Sequence, residues 1–104
     1  MAKAKPATLT RKLSREINTA YEAYKANEPG SEERLMRAFV EQAQHIARSR
    51  LGDMYDGTVA YDAAHRAMMA VKDFKGKSRL SSWFYRIVQN EMNIERRCFW
   101  DLAY

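Results

Sequence analysis

Lys75, Lys77, Ser78, Arg79, Trp83, Arg86, Gln89, Asn90, Asn93, Arg96 and Arg97 crowd into one short stretch, FKGKSRLSSWFYRIVQNEMNIERR. Cations neutralise phosphates, an aromatic ring stacks on an unpaired base, and side-chain amides match the donors and acceptors of a base edge. Gathered on one rigid helix, these groups are suited to holding an unstacked nucleic-acid strand. Asn90 follows Arg86 by four residues and so shares its helical face. Trp83, Phe84 and Tyr85 are consecutive, so on a helix their rings fan over roughly 200° and cannot all enter one core. Read one residue at a time, the same stretch also describes an ordinary polar face, with Trp83 and Phe84 in the core and Tyr85 at its edge. Arg96 and Arg97, near the end of this helix, suit the negative end of its dipole as well as a phosphate.

Enzyme chemistry finds little to work with. His45 and His65 fall on different predicted helices, without the spacing of a metal-binding pair. Cys98 has no second cysteine near it, and a metal site needs three or four ligands. There is no glycine-rich phosphate loop, because the four glycines stand singly as breakers. The chain is therefore read as non-enzymatic, with no cofactor and no metal.

Charge is unevenly distributed. The net charge of the 104 residues is +5, but residues 1–15 alone carry +5 without an acid, residues 16–74 carry −3, and residues 75–97 carry +4. Positive charge at both ends of the chain attracts phosphate backbones and releases their counterions. No apolar run approaches the ~18 residues of a membrane span. The opening MAKAKPATLTRK lacks the apolar core of a signal peptide and reads as a loose basic arm over residues 1–7. A single cysteine suits a reducing compartment, which places the chain in the cytoplasm.

The elements that must position these residues are four helices forming one domain over residues 8–104. No segment alternates with a period of two. Helix 1 is expected over 8–27, with Leu9, Leu13, Ile17, Ala20, Tyr21 and Tyr24 at helical spacing and Glu28-Pro29-Gly30 as its stop. Ser31 is expected to cap helix 2, which runs to about Leu51 with Leu35, Phe39, Ala43, Ile46 and Ala47 inward. Helix 3 is expected over 58–73, its stripe built from Val59, Ala63, Ala67 and Val71 and broadened by Ala60, Ala64 and Met68. Ser78 is expected to cap helix 4, whose inward rhythm reads Leu80, Trp83 or Phe84, Ile87, Glu91, Ile94. Glu91 breaks that stripe, so part of the face is expected to lie outside the core. The fold class is all-α, a compact four-helix orthogonal bundle.

Phe74, Gly76, Ser78, Leu80, Trp83, Phe84, Tyr85, Arg86, Ile87 and Asn90 keep the order and spacing of F-x-G-x-S-x-F-x-T-W-L-Y-R-I-A-x-N. The chain thereby resembles region 2 of bacterial sigma factors, above all the extracytoplasmic-function group. The likeness is dense over 74–90 and looser from residue 32, where LMRAFVEQAQHIARSRLGD is similar to the opening of the same region. It implies a transcription initiation domain that binds the clamp helices of RNA polymerase and captures flipped bases of the promoter −10 element on the non-template strand. Trp83 would then support duplex opening and Asn90 would contact a −10 base. Lys75, Lys77, Arg79 and Arg86 would follow the backbone.

Docking on polymerase would fall to Thr58, Tyr61, Asp62 and His65. Thr58, Tyr61 and Asp62 stand where the family carries Asp, Gln and Glu, so only the last acid is kept. Met68 replaces a common tryptophan, and Ile94 stands where the family has Asp or Asn, with Asn93 one place early. The −35-reading domain of complete factors has no counterpart in these residues. Three expectations follow: a fragment, a one-domain factor, or a chain whose partner supplies that targeting. The alternative function is a sigma-like interaction module that occupies the polymerase clamp without reading DNA. A general helical nucleic-acid binder is a third class.

Overall fold

The computed structural model describes the backbone of residues 6–55 and 57–103, and the side chains of residues 11–53, 55 and 57–93. It contains four α-helices: α1 (Pro6–Lys25), α2 (Ser31–Leu51), α3 (Gly57–Ala70) and α4 (Leu80–Ala103). Single 3₁₀ turns at Gly52–Met54 and Val71–Asp73 follow α2 and α3, and no strand occurs among the described residues. The all-α expectation holds. Among the described residues α2 and α4 each pack against the other three helices, whereas α1 and α3 do not meet. The smallest dimension is 25 Å, about two helix diameters of 10–12 Å.

Local chemistry explains the helix ends, and several differ from expectation. α1 is helical from Pro6, the first described residue, and so takes in Pro6 and Ala7 of the stretch read as a flexible arm. Asn27, rather than Pro29-Gly30, stops α1. Asn27 adopts a left-handed conformation with φ 56°. Its N–H bonds the Tyr24 carbonyl and the Glu28 N–H bonds the Ala23 carbonyl, each at 3.1 Å. This paired closure satisfies carbonyls left open at the helix end, and asparagine tolerates the backbone it requires.

Ser31 does not cap α2. Gly30 holds that position at φ 75°, a conformation glycine adopts freely, and no side chain caps the helix. Ser31 is instead the first helical residue and is buried. Glu32 and Glu33 occupy the first turn, where the helix dipole favours them.

The core is one cluster fed by all four helices. Ile17 and Ala20 enter from α1, and Leu35, Phe39, Ala43, Ile46 and Ala47 from α2. Val59, Ala60, Ala63, Ala64 and Ala67 enter from α3, with Val71 just beyond it. The α2 stripe is the one read from the sequence, whereas Leu13, Tyr21 and Tyr24 of α1 and Met68 of α3 are only half-buried. α4 is different: its buried row is Leu80, Phe84, Val88 and Met92, with Ile87 only half-buried. Glu91 is itself buried, so the core face does not stop there. Residues 1–5, and the side chains of Leu9, Ile94, Arg96, Arg97 and Cys98, lie outside the described residues.

Phe39 and Phe84 sit at the centre, fully buried, with ring centroids 4.5 Å apart. Truncating such a ring removes its transfer energy and leaves a cavity. Phe39→Ala should lower the unfolding free energy by about 3–5 kcal/mol, read as a reduced urea midpoint.

Candidate nucleic-acid interface

The approach to α4 is an exposed basic loop. Lys75, Gly76, Lys77, Ser78 and Arg79 are all exposed, and Gly76 turns the chain at φ 74° with open space around it. Ser78 does not cap the helix, because its hydroxyl donates to the Arg79 carbonyl at 3.4 Å. Arg79 takes the capping position, where its carbonyl accepts the N–H groups of Ser82 and Trp83, each at 3.1 Å. The main chain of Arg79 is thus fixed by the first turn of α4, and its side chain is exposed.

Along α4 the expected residues share the side facing away from the core. Arg86, Asn90 and Asn93 are exposed and Gln89 is half-buried, while Phe84, Val88 and Met92 face inward. Arg96 and Arg97 lie on the continuation of α4, with side chains outside the described residues. The three consecutive rings divide as the helix geometry demands. Phe84 is core, whereas Trp83 and Tyr85 are half-buried on either side of it. The Tyr85 hydroxyl accepts a hydrogen bond from Arg50 at the end of α2.

Trp83 is not freely displayed. Its ring packs on Phe74 at 5.3 Å, Phe74 meets Tyr21 edge-on at 5.7 Å, and Tyr21 stacks on Tyr24 at 6.5 Å. This row of rings fastens the basic loop to α1 on one side and α4 on the other. Trp83 therefore has a structural task, and only its exposed part is available to a base.

Two sets of residues that the sequence treats separately come together. Asp62 and His65 of α3 line one open groove of about 1010 Å³ with Asn90 and Asn93 of α4. Arg66 reaches across this groove to pair with Glu91, whose side chain is 9% exposed against 64% for the arginine. Tyr61 lies over the other edge of α3, in the groove toward α2. Tyr61 and Met69 are large apolar side chains left 56% and 63% exposed. Thr58 is also exposed, so all four expected docking residues lie at the surface of α3.

The sequence reading missed a second face, between α1 and α4. Arg11, Arg15 and Asn18 of α1 line one groove with Arg79 and Ser82. Its continuation holds Arg86 and Gln89 of α4, with Ser14, Ser81 and Ser82 common to both. The available signal was the acid-free charge of residues 1–15, together with the spacing of Arg11, Ser14, Arg15 and Asn18 along one side of a helix. The acids of α1 are engaged elsewhere. Glu16 pairs with Arg34 of α2 at 2.9 Å and Glu22 with Lys25 at 3.0 Å. The hydrogen bond and charge of Glu16 hold the Arg34 guanidinium above its ordinary pKa.

Among the described residues no group of three or more His, Cys, Asp or Glu side chains is placed to hold a metal. No helix among them is long and apolar enough to cross a membrane. No family model, curated protein or solved structure matches the chain.

Removing the cation of the α3–α4 pair leaves a buried carboxylate without its partner. Arg66→Ala should cost about 1–3 kcal/mol of stability. The double change Arg66→Met with Glu91→Met should cost less, because no charge is then stranded. Chemical denaturation of the two variants compares them.

Proposed function

We propose that this chain is a non-enzymatic transcription initiation domain of the sigma region 2 type, which holds one strand of an opened promoter. The observation that carries the reading is the outward face of α4. Arg86, Asn90 and Asn93 are exposed there, beside the half-buried Gln89 and Trp83, and the exposed Lys75, Lys77 and Arg79 lead into them. Cations on the loop and on α4 follow the phosphates. The Asn90 amide offers two donors and an acceptor to a base edge, and the open side of Trp83 offers a stacking surface. The ordered likeness from Phe74 to Asn90 supports assigning the captured strand to the −10 element. The same likeness supports a four-helix orthogonal arrangement of that family's kind and action in the cytoplasm, where promoters are transcribed.

A second reading rests on α3. Tyr61 and Met69 remain exposed beside Asp62 and His65, and exposed large apolar side chains next to polar ones suit a protein contact. In that reading α3 docks on the polymerase clamp, either together with strand capture or in its place.

Asn90 is the cleaner probe of strand capture, because Trp83 also supports the aromatic row. A fluorescent single-stranded −10 non-template oligonucleotide should bind more tightly than the same sequence as a duplex. Asn90→Ala should weaken single-strand binding by about 1–3 kcal/mol while leaving the thermal midpoint unchanged. Equal affinity for strand and duplex, or full binding by Asn90→Ala, refutes strand capture. Retention of the wild-type chain on an immobilised polymerase clamp, without oligonucleotide binding, favours the docking reading alone.

A further inference from the structure

The α1–α4 face has a composition that the protein does not itself satisfy. Arg11, Arg15 and Arg79 line a groove of about 420 Å³. Arg86 lines its continuation, of about 380 Å³. Among the described residues no carboxylate lines either part. Among the described residues none of these four arginines forms an ion pair, whereas Arg34 and Arg66 do. Guanidinium groups set side by side repel one another, and an anion laid between them relieves that repulsion through charge-assisted hydrogen bonds.

Hydroxyl groups complete the lining. Ser14, Ser81 and Ser82 stand where the two parts of the groove join. The Ser14 oxygen accepts the Gln42 side-chain N–H at 3.3 Å, which leaves its proton for another acceptor. Gln42 is 3% exposed and lines the same groove, where its side-chain N–H holds Ser14 in place.

We propose that this groove is a second nucleic-acid site, in which consecutive phosphates of one backbone are held by Arg11 and Arg15 of α1 together with Arg79 at the start of α4. A single small anion would occupy one part of the groove. A phosphodiester chain matches cations spread along two joined parts on two helices. The site reads no sequence, because its charged groups address phosphates rather than base edges. It lengthens the path of the strand held by α4 and commits α1 to binding as well as to scaffolding. This rests on the reading that the chain binds nucleic acid, but not on which sequence it prefers.

The test is fluorescence anisotropy over a series of salt concentrations. Oligonucleotides of about 20 nucleotides exceed the ~4–16 that one small domain covers, and are used in −10 and scrambled sequence, single-stranded and duplex. The double variant Arg11→Ala, Arg15→Ala changes two exposed side chains. Its slope of log K against log salt should be shallower by about 1.4 on single strands, with affinity falling equally for both sequences. The control Arg37→Ala, Lys72→Ala removes the same charge outside the groove and should leave the slope unchanged. An unchanged slope in the groove variant, with its helical circular dichroism intact, overturns the site. An equal change in the control overturns it too, since total charge would then suffice. Loss of slope with no preference for the −10 sequence upholds the groove and removes the promoter reading. A kept preference with an unchanged slope does the reverse.

Discussion

Phe39 of α2 and Phe84 of α4 meet ring to ring in the interior, and the arrangement of the other helices depends on that contact. Among the described residues α2 and α4 are the two helices that touch every other; α2 packs most extensively, against α1 and α3, and the phenylalanine pair ties α4 to it. Burying two phenyl rings together gains their apolar area, and the tilted contact at 4.5 Å adds an attraction between the rings. It also fixes the rotation of α4. With Phe84, Val88 and Met92 turned inward, Arg86, Asn90 and Asn93 have no orientation left but outward. The candidate interface is in that sense the reverse side of a core contact.

The outward face is not uniform. On its α3 side it meets Asp62 and the paired Glu91, so that groove offers acceptors as well as the amides of Asn90 and Asn93. On its α1 side it meets arginines and hydroxyls, with no acid among the described residues. A backbone and its bases ask for different surroundings, phosphates favouring the cationic side and base edges the mixed one. α4 presents both along one rigid axis, and the aromatic row through Phe74 and Tyr21 keeps the basic loop attached to it.

Helical periodicity made α2 and α3 readable almost to the residue, because Leu35, Phe39 and Ala43 on one and Val59, Ala63 and Ala67 on the other have no competing phase. α4 was harder. Three adjacent rings leave the phase open, and the apolar rhythm through Ile87 and Ile94 competes with the one through Val88 and Met92 that packing selects. Ends governed by left-handed backbone, at Asn27 and Gly30, were assigned to neighbouring residues because side-chain identity only hints at φ. The exposed residues of α4 could be read from motif and spacing. The α1–α4 groove could not, since nothing in a linear pattern states which helices are adjacent or where Glu16 turns to find Arg34.

The buried face of α3 is built almost wholly from alanine, with Ala60, Ala63, Ala64 and Ala67 all inaccessible to solvent. Methyl groups make low ridges, and ridges seated in grooves are what normally lock two helices in register. Closeness and locking are therefore separate matters for this helix. It can lie tight against α2 while little along its middle resists sliding lengthwise. Resistance to such shear falls to Val59 near its start, to Val71 in the turn just after it, both buried, and to the Arg66–Glu91 clasp with α4. Mechanically, α3 resembles a smooth plate pinned at three points.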